Sequence, residues 1–94
     1  MDYLLLTPDD IIKSLAKRVR DIRKRRKISQ KQLAKRSNVS YGSLRRFEET
    51  GQISLESLVK IAMELGLTNE INELFTHPVY NSLEEVINER NQNS

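Results

Sequence analysis

The stretch "SYGSLRRFEE", Ser40 to Glu49, gathers most of the side chains with recognition chemistry into ten residues. Arg45 and Arg46 each carry a planar fork of donors that grips a carboxylate or phosphate through two bonds. Tyr41 offers a ring and a hydroxyl, and Ser40 and Ser43 offer small hydroxyls. Catalytic groupings are missing. The single histidine, His77, follows the periodic part of the chain in a proline-containing connection, with no cysteine or second histidine to join it. Glu84 and Glu85 are adjacent, so on a helix they diverge. There is no glycine-rich phosphate loop and no set of metal ligands, so no enzyme, metal or cofactor is expected.

The charges are divided along the chain. Lys13 to Arg46 holds 14 of the 16 basic residues and one acid, Asp21. Beyond Phe47 there are nine glutamates against Lys60 and Arg90. A cationic first half predicts a polyanionic partner. A solvated helical surface would give the same charge run, so the charge alone does not decide. No apolar run reaches the roughly 18 residues of a membrane span. "YLLL" at Tyr3–Leu6 is too short for a signal-peptide core, and Asp2 stands where such a peptide carries a basic residue. With no cysteine as well, a cytoplasmic location is expected.

These side chains must be positioned by short helices. Thr7, Pro8 and Asp10 read as a capped start, followed by Ile12, Leu15, Ala16, Val19 and Ile22 at helical spacing to about Arg26. Ser29 caps a second helix through Ser37, with Leu33 and Ala34 inward. Ser40 caps a third, to about Thr50, with Leu44 and Phe47 inward, and Gly51 ends it. Ser54 opens a fourth with the stripe Leu55, Leu58, Ile61, Ala62 and Leu65, stopped by Gly66. Thr68 caps a short fifth carrying Ile71, Leu74 and Phe75. Met63 reads as core or boundary. The fold class is therefore all-α, with five helices within 8–76. Residues 1–7 and 77–94 form extensions, the second partly disordered, with a last helix signalled by Ser82 and Glu85.

Between the second and third helices the spacing is that of a helix–turn–helix. Ala34 is small where two helices approach closely, and Asn38 tolerates a left-handed turn. "LAKRSNVSYGSLRRFEETG" resembles the Cro-type, Xre-like phage-repressor family, and the resemblance runs from about Leu15 to Phe75. Asn38 replaces the common glycine, Phe47 a common aliphatic residue, and one extra residue, Glu49 or Thr50, precedes Gly51.

The resemblance implies a lambda-repressor-like five-helix domain whose third helix, about 40–50, enters the major groove of double-stranded DNA. It places Tyr41, Gly42 and Arg46 at base-reading positions, with Arg46 best suited to a bidentate contact with guanine. Gln30 then meets a phosphate at the start of helix 2. Ser40, Ser43, Arg45, Lys31 and Lys35 lie toward the phosphates, within an electrostatic footprint that includes Arg36 and the "RKRRK" run at Arg23–Lys27. For Arg45 an intrahelical pair with Glu49 is the competing reading. In this family an arginine of helix 1 pairs with a glutamate near the end of helix 3, here Arg23 and Glu48.

Three functional readings remain open. One is a repressor that binds a two-fold-related operator as a homodimer. A second is an antitoxin, because small Xre-like proteins with such a C-terminal extension resemble partners of HipA-like kinase toxins. The third is an adaptor that uses the same fold to bind protein, through "DYLLL" or "PVYNSLEEVI", without specific DNA recognition.

Overall fold

The computed structural model describes residues 6–78. Its helices are α1 (Pro8–Arg25), α2 (Gln30–Ser37), α3 (Tyr41–Thr50), α4 (Leu55–Glu64) and α5 (Thr68–Asn72), and no strand occurs among the described residues. The Tyr3–Leu5 part of the N-terminal run and the Ser82/Glu85 signal lie outside the described residues.

Local chemistry sets the boundaries. Thr7 Oγ1 accepts the Asp10 N–H at 3.1 Å, and the Asp10 carboxylate accepts the Thr7 N–H at 3.0 Å. That backbone donor is the main reason the Asp10 carboxyl sits below its ordinary range. A depressed carboxyl stabilises the fold above its unfolded pKa and loses that contribution as pH falls through the folded value. The α1 cap is therefore an acid-sensitive feature. Ser29 caps α2, and Gln32 completes a reciprocal box by accepting the Ser29 N–H at 2.9 Å. Ser40 and Ser54 cap α3 and α4.

Asn38 turns the chain between α2 and α3 in the left-handed region, φ 56°, and Val39 N–H then reaches back to the Ala34 carbonyl at 3.0 Å. Gly51 ends α3 at φ 82°. A Cβ built there would come within 2.5 Å of Ile12 Cγ2. Gly51 thus provides both the turn and the space in which α1 lies against the end of α3. Gly51→Ala is expected to cost about 1–2 kcal/mol from the left-handed conformation and the displaced isoleucine. A lower urea midpoint at unchanged m would show it.

Helix α1 packs on α3, α2 on both α3 and α4, and α4 on α5. The core is Ala16, Val19, Leu33, Ala34, Val39, Leu44, Phe47, Ile61 and Leu65, with Ile22, Ile28, Ile53, Leu58 and Leu67 against it. Phe47, Leu33 and Leu44 are fully buried, each contributing about 1.5–3 kcal/mol by removal from water. Ser37 is buried too, but its hydroxyl donates to the Leu33 carbonyl at 2.6 Å, which removes the penalty of an unpaired polar group.

Four expectations are corrected. Leu55 is the first residue of α4 and projects past the edge of the core, 72% exposed. Met63 lies one position beyond the buried Ile61–Ala62 edge and is exposed. Thr68 makes no cap hydrogen bond, because α5 begins from Leu67. Helix α5 stops at Asn72, so Leu74 and Phe75 lie outside it, and Phe75 adopts φ 65° with 94% of its surface in water.

Candidate nucleic-acid interface

The interface begins with a clamp that fixes α3. Arg23 of α1 donates from Nε to Glu48 Oε2 and from Nη2 to Glu48 Oε1, both at 2.8 Å. Its remaining amino group, Nη1, donates to the Ile28 carbonyl at 2.9 Å. The two side chains are only 9% and 2% exposed. Gln30, at the first turn of α2, donates its amide nitrogen to Glu48 Oε1 at 3.1 Å. Three helices therefore meet on one carboxylate. The fourfold hydrogen bonding repays part of the desolvation that burial imposes on both charges.

Beyond the clamp, Leu44 and Phe47 anchor the inner side of α3, leaving Tyr41, Gly42, Ser43, Arg45, Arg46 and Glu49 exposed. Ser40 Oγ accepts the Ser43 N–H at 3.0 Å and lies 2.7 Å from Ser43 Oγ, so both hydroxyls sit at the helix start. A Cβ at Gly42 would meet nothing within 4 Å. The bare position is not demanded by packing within the chain. Lys31 Nζ stands 5.6 Å from the Tyr41 ring centroid, within cation–π range. This joins the start of α2 to the start of α3.

Arg45 and Arg46 differ in their surroundings. Arg45 Nε donates to Glu49 Oε1 at 3.2 Å, and Glu49 raises the arginine above its ordinary value. The competing sequence reading of Arg45 as an intrahelical partner thus describes the free protein, in place of a free phosphate ligand. Arg46 has no ionic partner among the described residues. It lines a hollow of about 310 Å³ with Ser43, Gln52, Ile53, Ser54 and Ser57, between α3, the following loop and the start of α4. A flexible cation beside unpaired hydroxyls and open backbone can reach a base edge or a phosphate oxygen without breaking a contact first.

Other sequence-predicted positions are distributed less uniformly. Lys31 and Lys35 are exposed on α2, opposite buried Leu33 and Ala34. Gln30, expected at a phosphate, is turned toward Glu48 instead. The "RKRRK" run does not form one face. Arg23 is consumed by the clamp, and the Arg26 guanidinium lies beside Gly66 at the end of α4, where a positive charge complements the carbonyl ends. Two contributors escaped sequence reasoning: Gln30 as a clamp member, and the Gln52–Ser57 wall of the hollow. Only the serine cap at Ser54 hinted at the second.

Two short helices joined at Asn38, with the second held outward by a buried ion pair, define a helix–turn–helix unit. A family profile described as "Helix-turn-helix" matches residues 19–68, more than half of the 94 residues. The chain belongs to this Xre-like helix–turn–helix family, which is a DNA-binding one. The matched span begins within α1 and ends at the start of α5, so it includes the clamp and the whole exposed side of α3. No curated protein matches the chain at a significant level. No described helix is long and apolar enough to cross a membrane.

Proposed function

We propose that this chain is a sequence-specific transcriptional repressor that binds two-fold-related half-sites as a homodimer. The observation that carries the reading is Arg46: exposed on α3, without an ionic partner among the described residues, beside open Gly42 and a serine-lined hollow. In this reading α3 lies in the major groove and Arg46 donates two bonds to a guanine. Tyr41 reads the neighbouring step, and Gly42 lets the backbone approach the base edges. Lys31, Lys35, Ser40 and Ser43 face phosphates, and Gln30 can turn from Glu48 to a phosphate at the α2 start. One such module makes a small footprint, so paired half-sites about 34–36 Å apart supply the remaining affinity. Repression then follows by occlusion of the promoter.

The test is a gel-shift titration against DNA upstream of the gene, with random DNA as control, at two salt concentrations. A salt-sensitive shift that prefers the upstream DNA supports the repressor. Equal, weak binding to both DNAs would reduce the cationic face to a general electrostatic surface and favour the adaptor. Gly42→Ala probes the close approach. Helix propensity predicts a gain of about 0.5 kcal/mol in stability, measured by urea unfolding, together with weaker operator binding.

An antitoxin role is a second reading that adds to the first. Leu74 and Phe75 are exposed next to the C-terminal extension and give a protein partner an apolar foothold. Co-purification with the product of an adjacent kinase-toxin gene would support it. Monomeric or dimeric protein unaffected by that product would count against it.

A further inference from the structure

The exposed side of α3 carries a carboxylate where a polyanion partner would make one unfavourable. Glu49 is 61% exposed and Arg45 59%, so their 3.2 Å contact is not a burial requirement of the fold. Its neighbour Glu48 already supplies the clamp to α1. Arg45 stands one turn after Tyr41, at the i,i+4 spacing that makes side chains neighbours. On the other side of Tyr41 lies Lys31, 5.6 Å from the ring centroid. Glu49, Arg45, Tyr41 and Lys31 therefore form one file from the end of α3 to the start of α2. The rise in the Arg45 pKa, caused first by Glu49 and to a lesser extent by Tyr41, agrees with that order. Arg46 lies outside the file, against the hollow of Ser43 and Ser57.

We propose that Glu49 is a positioning residue for DNA selectivity: it keeps the Arg45 fork along the helix, away from phosphates, and through Arg45 fixes the orientation of Tyr41. The inference rests on the DNA-binding reading of α3. Two consequences separate it from a structural role. Releasing Arg45 adds a phosphate partner that raises affinity for every sequence alike. Releasing Tyr41 weakens the preference at the base pair it faces and leaves the Arg46 position unchanged.

The experiment uses the full chain as wild type, Glu49→Gln, Arg45→Gln and the double variant, with circular-dichroism melting to establish folding. Each is titrated on the operator, its single-base variants and a random duplex over a range of salt. The base pair assigned to Tyr41 is the one whose preference Tyr41→Ala erases. Glu49→Gln is expected to bind random DNA about threefold more tightly, with a log–log salt slope steeper by about 0.9. It should also flatten the Tyr41 preference alone. In the Arg45→Gln background the same change should leave random-DNA affinity nearly unmoved. An equal gain in both backgrounds would make Glu49 a simple repelling charge, and no gain would mean that the pair does not restrain Arg45. Either result overturns the inference while wild-type selectivity stands. Wild type without operator preference would overturn the DNA reading itself, and the inference with it.

Discussion

Arg23→Ala is expected to destabilise the domain by about 3–5 kcal/mol, the largest effect of any single exposed-face or clamp substitution. The alanine leaves the Glu48 carboxylate almost fully buried with Gln30 as its remaining donor, and it orphans the Ile28 carbonyl. A domain of this size has about 5–15 kcal/mol of stability in total, so the loss approaches its whole reserve. The measurement is the urea midpoint followed by circular dichroism. Replacing both partners with apolar residues, Arg23→Met with Glu48→Leu, should recover much of the loss, because no charge is then stranded. If Arg23→Ala instead lowered stability by less than about 1 kcal/mol, the pair would be an ordinary solvated one. The clamp account of α3 would then fail. The functional consequence follows from position: without the clamp, α3 is held only by Leu44, Phe47 and the Gly51 contact with Ile12. DNA affinity should then fall even under conditions where the variant is folded.

Most of the element boundaries were legible because they rest on local chemistry. Thr7, Ser29, Ser40 and Ser54 announce helix starts, and Asn38 and Gly51 are among the few residues suited to the left-handed turns they occupy. The inward Leu33, Ala34, Leu44 and Phe47 follow from the same spacing. What failed was decided by tertiary limits. Leu55 fits the α4 stripe by periodicity, but a stripe says nothing about where the core ends. Leu74 and Phe75 continue the apolar count of α5, yet five residues of helix are too few to carry them inward.

The same division holds at the candidate interface. A family resemblance points to Arg23 with Glu48, but no sequence pattern shows that Gln30 will join them across two helices. Charge counting treats Arg23–Lys27 as one basic run, whereas the fold sends Arg23 to the clamp and Arg26 to the end of α4. Helical spacing makes Arg45 and Arg46 look equivalent. The 3.2 Å contact with Glu49 is what separates them, and it leaves Arg46 as the cation ready for a new partner.

That difference gives the second large expectation, Arg46→Ala. A bidentate arginine–guanine contact provides about 1–3 kcal/mol of discrimination, so operator affinity should fall about ten- to hundredfold. Binding to random DNA should weaken far less, through the loss of one positive charge. Lys35→Ala is the contrasting variant: an exposed α2 cation at a phosphate should cost affinity about equally on all sequences and reduce the salt slope by about one. Fluorescence-anisotropy titrations on the operator, its single-base variants and random duplex distinguish the two patterns. Arg46→Ala should erase the preference at one base pair in each half-site and preserve the others. Folding is not in question for this variant, since Arg46 donates no side-chain bond within the described residues and its carbonyl still accepts from Thr50. An unchanged footprint, in both strength and sequence preference, would therefore place the reading surface elsewhere than the Gly42–Arg46 side of α3. A loss equal on every sequence would instead assign Arg46 to the backbone, leaving Tyr41 and DNA shape to carry the specificity.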